Sequence, residues 1–176
     1  MEAYHVVTER PMYIGQQILF DFYHHNGVYQ RVMDKLQIVK EIYAAPDRYS
    51  PDELEHHTAV ALRELAMEEI RQQNHPAYPS RMSCLYVSET MEEAEKWASF
   101  FSQIGRPTYH IVRLQIDGNI FIGDATKCFR GSSDRVFNLR KAEQYWESNV
   151  TPIVKEILAD GMITVVEIVK EINANL

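Results

Sequence analysis

The sequence predicts an α+β fold, and three observations carry that expectation. Apolar, β-branched runs stand near both ends and in the middle of the chain, helical periodicity separates them, and neither a regular strand–helix alternation nor an internal repeat joins them. Residues 1–176 are expected to form a single domain, because a chain of this length can bury about 70% of its extended surface in one core.

The elements follow in order. Ala3 to Thr8 reads as the first strand, ended by Arg10-Pro11. Ile14 to Phe20 is a short strand or irregular excursion, and Asn26-Gly27 marks a tight turn because that pair tolerates positive φ. Val32, Leu36, Val39 and Ile42 recur at three and four, so one helix is expected from Tyr29 to Ala45. Ser50-Pro51-Asp52-Glu53 supplies a cap, a first-turn proline and carboxylates, which predicts a second helix from Pro51 to Gln73. Cys84 to Ser88 is a short buried strand. Thr90 and Glu93 form a capping box that opens a helix from Met91 to Gln103, with Ala94, Trp97, Ala98 and Phe101 as its apolar stripe. Tyr109 to Ile116 is a strand, Asp117-Gly118-Asn119 a hairpin turn, and Ile120 to Ile122 the returning strand. Asp124 to Asn138 is loop-like. Arg140 to Trp146 and Pro152 to Leu158 read as short helices, Asp160-Gly161 as a turn, and Ile163 to Val169 as the last strand.

Composition narrows the function classes. With 45% hydrophobic and 11% aromatic residues the chain is neither disordered nor low-complexity, and a net charge of −7 argues against duplex DNA as the main ligand. Positive charge is nevertheless concentrated at Lys127, Arg130, Arg135, Arg140 and Lys141. Cys84 and Cys128 are too few for a disulfide scaffold and lack zinc-site spacing, so a reduced, cytoplasmic setting is expected. No basic start leads into an apolar run and no eighteen apolar residues occur together, so neither a signal peptide nor a membrane span is expected.

The familiar phosphate-loop, dinucleotide, zinc-protease and nucleophile-elbow signatures are missing. His57, Glu64 and Glu68 share a helical face, but no second cluster completes a coordination sphere, and the solvated-face reading is preferred to a metal site. What remains is a set of polar and aromatic residues at strand ends: Tyr4-His5, Arg81, Tyr86 to Ser88, and Glu156.

Their order resembles the ADP-ribosyltransferase-like superfamily. Tyr4-His5-Val6-Val7-Thr8 is similar to its opening strand, and Ser83-Cys84-Leu85-Tyr86-Val87-Ser88 leading into the Trp97 helix is similar to its second motif. Glu156-Ile157-Leu158-Ala159-Asp160-Gly161, with Ile163 to Val166 after it, resembles the glutamate-bearing strand, turn and returning strand. More narrowly, the Gly15 segment and the Asn26-Gly27 turn look like one of the small bacterial families associated with that superfamily. The resemblance implies two small, mostly antiparallel sheets forming a cleft, with a helical segment between the first and second motif strands. It also implies that Glu156 stands at the edge of a strand, where local periodicity reads helix.

The implied activity is cleavage of the nicotinamide–ribose bond of NAD and transfer of ADP-ribose to an unknown acceptor, which is a protein, a nucleic acid, a small molecule or, in an NAD glycohydrolase, water. That bond breaks through an oxocarbenium-like centre, which a carboxylate at the ribose stabilises electrostatically. Glu156 is implied as that catalytic residue, with Glu147 in Tyr145-Trp146-Glu147 as the competing glutamate. Tyr86 is implied as the aromatic face for nicotinamide, and His5 as the partner of the adenosine ribose. Tyr4 and Ser88 complete the NAD-binding set, and Arg10 or Arg81 meets the pyrophosphate. Val154 stands two residues before Glu156, where arginine-modifying members carry a second glutamate, so an arginine-directed activity is not expected. The alternatives are an inactive nucleotide-binding or interaction module of the same fold, with the acidic Pro51 to Gln73 helix as a docking face, and an RNA-processing protein using the basic strip and a histidine.

Overall fold

The computed structural model describes residues 1–147 and 151–173. The order is β1 (Glu2–Val7), β2 (Gln17–Phe20), α1 (Gly27–Met33), α2 (Leu36–Ala44), α3 (His56–Asn74), β3 (Leu85–Val87), α4 (Met91–Gln103), β4 (His110–Asp117), β5 (Ile120–Asp124), α5 (Arg135–Trp146), β6 (Lys155–Ala159) and β7 (Gly161–Glu171). It is an α+β fold with two antiparallel sheets, ordered β1-β4-β7-β2 and β3-β6-β5.

One isolated backbone bridge joins the edges of the two sheets. Tyr4 and Ser88 form an isolated antiparallel bridge, each N–H donating to the other's carbonyl at 2.8 Å, and no ladder continues between β1 and β3. Beyond the bridge the strands separate, and the Tyr86 carbonyl accepts a 2.7 Å hydrogen bond from Nδ1 of His5 instead of from a strand N–H. A side chain thus satisfies a backbone group that the split would otherwise leave without a ladder partner. Ala3, Val7, Val112, Leu114, Ile163 and Val165 of the first sheet meet Val87, Ile157 and Ala159 of the second in one core. On the opposite face α4 covers Tyr4, Val6 and Ile111, while α3 and α5 cover Leu158, Phe121 and Tyr86. Helices α1 to α3 share a further core of Val32, Ile42, Leu54, Leu62 and Met82.

Several expectations are corrected. Ile120 does not begin a returning strand: β4 pairs with β1 and β7, whereas β5 pairs with β6, so the chain crosses between sheets at Gly118. The chain crosses back at Gly161, whose φ is +80°, and the two crossovers are in contact. A Cβ on Gly118 would stand 2.0 Å from the Asp160 carbonyl oxygen, and one on Gly161 2.3 Å from that of Asp117. The predicted Tyr29–Ala45 helix is two helices, tightened at Asp34-Lys35 where the Lys35 N–H bonds the Val32 carbonyl. Helix α3 starts at His56 rather than Pro51, because Glu55 caps it by accepting from the N–H groups of His57 and Thr58; Pro51 to Glu53 is a 3-10 turn. Asn26-Gly27 is no hairpin turn: Asn26 caps α1 by accepting from the Val28 N–H. Helix α5 begins at Arg135, capped by Asp134, well before the predicted start at Arg140. The Thr90 cap and the Met91–Gln103 helix agree with the sequence, although the Glu93 carboxylate accepts from the Glu89 N–H rather than from that of Thr90.

Candidate functional site

Glu156 lies on β6, not on the helix that local pattern predicts for Pro152 to Leu158. Strand β6 is the centre of its sheet, flanked by β3 and β5, and pairing on both sides overrides the weak helical pattern of five residues. The start of β6 is fixed by Asp124. Its buried carboxylate accepts from the N–H groups of Ile153 and Val154 and from both donors of Thr126. Burial opposes its ionisation, but these four donors outweigh burial and bring its pKa down to about 2.

The Glu156 side chain enters a buried charged cluster. Its Oε2 accepts from the Tyr145 hydroxyl at 2.6 Å and from Nη1 of Arg81 at 2.9 Å, while among the described residues Oε1 takes no hydrogen bond. Arg81 is 5% exposed and is shared: it also pairs with Glu64, 2% exposed, at 3.0 Å, and donates to the Tyr145 hydroxyl at 2.7 Å. Arg63 adds a second cation to Glu64 at 3.1 Å. Burial alone would push the Glu64 carboxyl up, yet the Arg81 and Arg63 guanidiniums hold it below its usual range. The Arg81 guanidinium stays charged although burial opposes it, because Glu64, foremost among its neighbours, stabilises the cation. Burial pushes the Tyr145 phenol well above its ordinary value, so it remains a neutral donor to Glu156. The segment carrying Arg81 is pinned by Asn26, whose side-chain amide donates to the carbonyls of Arg81 and Cys84.

The remaining expected site residues divide between two faces. The ladder Tyr86↔Leu158, Val87↔Ile157 leads next to Ser88 beside Glu156, and the Tyr4–Ser88 bridge brings Tyr4 to the same face. Tyr86 also points this way, with the Arg81 guanidinium 5.7 Å from its ring centre. His5 points to the other face, toward the core between the sheets. Burial, with further contributions from Arg106 and His110, lowers its pKa to about 4 against the opposing pull of the Tyr86 carbonyl. The ring is therefore neutral at pH 7, protonated at Nδ1, with Nε2 as an acceptor. Arg81, the expected pyrophosphate partner, has its donors on Glu64, Tyr145 and Glu156. Arg10 is exposed in the loop after β1.

Glu147 is not among the hydrogen-bonded members of this cluster and lines a cavity of about 540 Å³ with Lys127, Lys141 and Phe129. A second cavity of about 240 Å³ adjoins it across Cys128 and Phe129 and is lined also by Arg63, Arg130 and His56. The solvated face expected for His57, Glu64 and Glu68 is corrected: His57 is exposed, but Glu64 is buried on Arg81 and Glu68 is bound by Arg71 and Ser80. Among the described residues no helix is long and apolar enough to cross a membrane.

Reading along the sequence missed Tyr145, Asp124, Asn26 and Glu64 as parts of this site. Only the Asp124-Ala125-Thr126 spacing, an Asx-turn pattern, and the Tyr145-Trp146-Glu147 cluster offered a local signal. A comparison with curated proteins finds no match. The model of a family described as a protein of unknown function, DUF2441, matches residues 3–171. On that match, which spans nearly the whole chain, the protein belongs to the DUF2441 family.

Proposed function

We propose that the chain is an ADP-ribosyltransferase-like protein that binds NAD where β1 and β3 part, and that Glu156 promotes cleavage of the nicotinamide–ribose bond. The observation that carries this reading is strand order. The strands bearing His5, Tyr86 with Ser88, and Glu156 are neighbours, β1 then β3 then β6, although long helical segments separate them in sequence. A glutamate on a strand where local pattern favours helix is what the superfamily resemblance implies.

In this reading the glycosidic C–N bond breaks and its electron pair leaves with nicotinamide, neutralising the pyridinium charge. The ribose is left oxocarbenium-like, and an acceptor nucleophile then bonds to its anomeric carbon. Arg81 and Tyr145 hold Oε2 of Glu156, so the carboxylate presents Oε1 in a fixed orientation to the ribose hydroxyl and developing charge. Nε2 of neutral His5 accepts from a ribose hydroxyl of the adenosine half.

Two observations favour a second reading, a non-catalytic nucleotide-binding module. Arg81 offsets the Glu156 charge, and His5 and Glu156 face opposite sides of the strands. Calorimetric titration of NAD into wild type and His5→Ala, with nicotinamide followed in the same samples, separates the two. Binding weakened at least tenfold in His5→Ala together with nicotinamide release supports the enzyme. Binding without release supports the module, and no binding by folded wild type at millimolar NAD overturns both.

A further inference from the structure

The two cavities on either side of Cys128 and Phe129 are cationic in a chain whose net charge is −7. Lys127, Lys141, Arg63 and Arg130 line them, and among the described lining residues Glu147 is a carboxylate. Arg63 is paired with Glu64, and Arg130 donates to the Leu54 carbonyl, which fixes the position of that guanidinium at the rim. Aromatic surface is interleaved with this charge. Phe129 packs edge-on to Phe137, Phe137 is 38% exposed, and the Lys141 ammonium lies 5.7 Å from its ring centre one helical turn on. Phe129 lines both cavities and Phe137 stands beside it, and cations interleaved with such rings hold phosphates and let bases stack, while a net negative charge disfavours loose phosphate binding.

We propose that this double cavity is a binding site for single-stranded nucleic acid, with phosphates against Lys127, Lys141 and Arg130 and a base against the Phe129–Phe137 edge. The site adjoins the glutamate. Ala125 to Lys127 form the 3-10 turn that follows β5, whose Gly123 pairs with Glu156, and the Ala125 N–H bonds the Val154 carbonyl. Strand binding is independent of the NAD reading.

The test is fluorescence anisotropy of a labelled twelve-nucleotide single strand, RNA and DNA in parallel, without NAD, across a salt series. Three phosphate contacts predict a logarithmic salt slope of about −2. Lys127→Glu combined with Lys141→Glu is expected to weaken binding at least tenfold, and Phe137→Ala at least threefold, with unchanged melting temperature and far-ultraviolet spectrum. Lys141→Glu alone serves if the double variant melts early. No binding by wild type at 50 mM salt overturns the proposal. So does binding untouched by the charge reversals, or equal displacement by adenosine monophosphate and by the unlabelled strand.

Discussion

Arg81 is the residue on which the buried cluster depends. It holds Glu64, Glu156 and the Tyr145 hydroxyl at once, so replacing it by Met leaves Glu156 without its cation and Glu64 with Arg63 alone under α3 and α5. Breaking a buried ion pair by removing one partner costs about 3–5 kcal/mol, and urea unfolding of Arg81→Met should show a loss of that order. Arg81→Lys should recover only part of it, because one ammonium cannot span three acceptors. His5 makes a second prediction. Its native pKa of about 4 lies below the usual 6.5, so between these values the unfolded chain takes up a proton that the native chain does not. Stability therefore falls as pH drops from 6.5 toward 4, by an amount on the order of 2 kcal/mol. Asp124, with a native pKa of about 2 against 3.8, loses its contribution only below that window. Melting curves of His5→Phe should be flatter than wild type between pH 6.5 and 4, and an unchanged pH slope would show that His5 does not titrate as described.

Elements were legible where their signals were local. Helix α4 could be read to the residue because Thr90 accepts from the Glu93 N–H and four apolar side chains repeat behind it. The start of α3 could not, because Ser50-Pro51 imitates a cap while Glu55 is the residue that bonds the free N–H groups. Strand β6 was misread for a different reason: five residues carry little period, and only pairing with β3 and β5 makes them a strand. The hairpin expected at Gly118 failed because the chain there crosses between sheets, against the second crossover at Gly161. This contact yields a prediction at the same scale. Gly118→Ala places a methyl group into backbone that cannot rotate away, and Gly161→Ala adds a positive φ to a similar clash. Each should destabilise by about 2–4 kcal/mol in chemical unfolding, well beyond the effect of Ala at exposed Gly105, where φ is also positive but nothing lies within 4 Å of an added Cβ. Asp124→Ala should cost about 2 kcal/mol or more by leaving the Ile153 and Val154 donors without their carboxylate at the entry to β6.

Across the whole molecule, the sequence indicated α+β class and the strands that bear the candidate residues, but not how those strands lie. The split between β1 and β3, closed by the Tyr4–Ser88 bridge and the His5 side chain, arises from pairing between residues some eighty positions apart. The candidate site was legible in the same uneven way. Glu156, Tyr86 and His5 stood out as residues, whereas the roles of Glu64 and Tyr145 exist only because α3 and α5 pack on the second sheet. Charge patterning behaved similarly: the strip from Lys127 to Lys141 was visible along the chain, and folding contributes Arg63 to the same double cavity. The most direct test of the account is the rate of nicotinamide release from NAD by wild type, Glu156→Gln and Tyr145→Phe, each first shown to be folded and to bind NAD. The account predicts release by wild type, a loss of about a hundredfold or more in Glu156→Gln, and a smaller loss in Tyr145→Phe as the carboxylate loses one of its two anchors. Release by Glu156→Gln at the wild-type rate would contradict it.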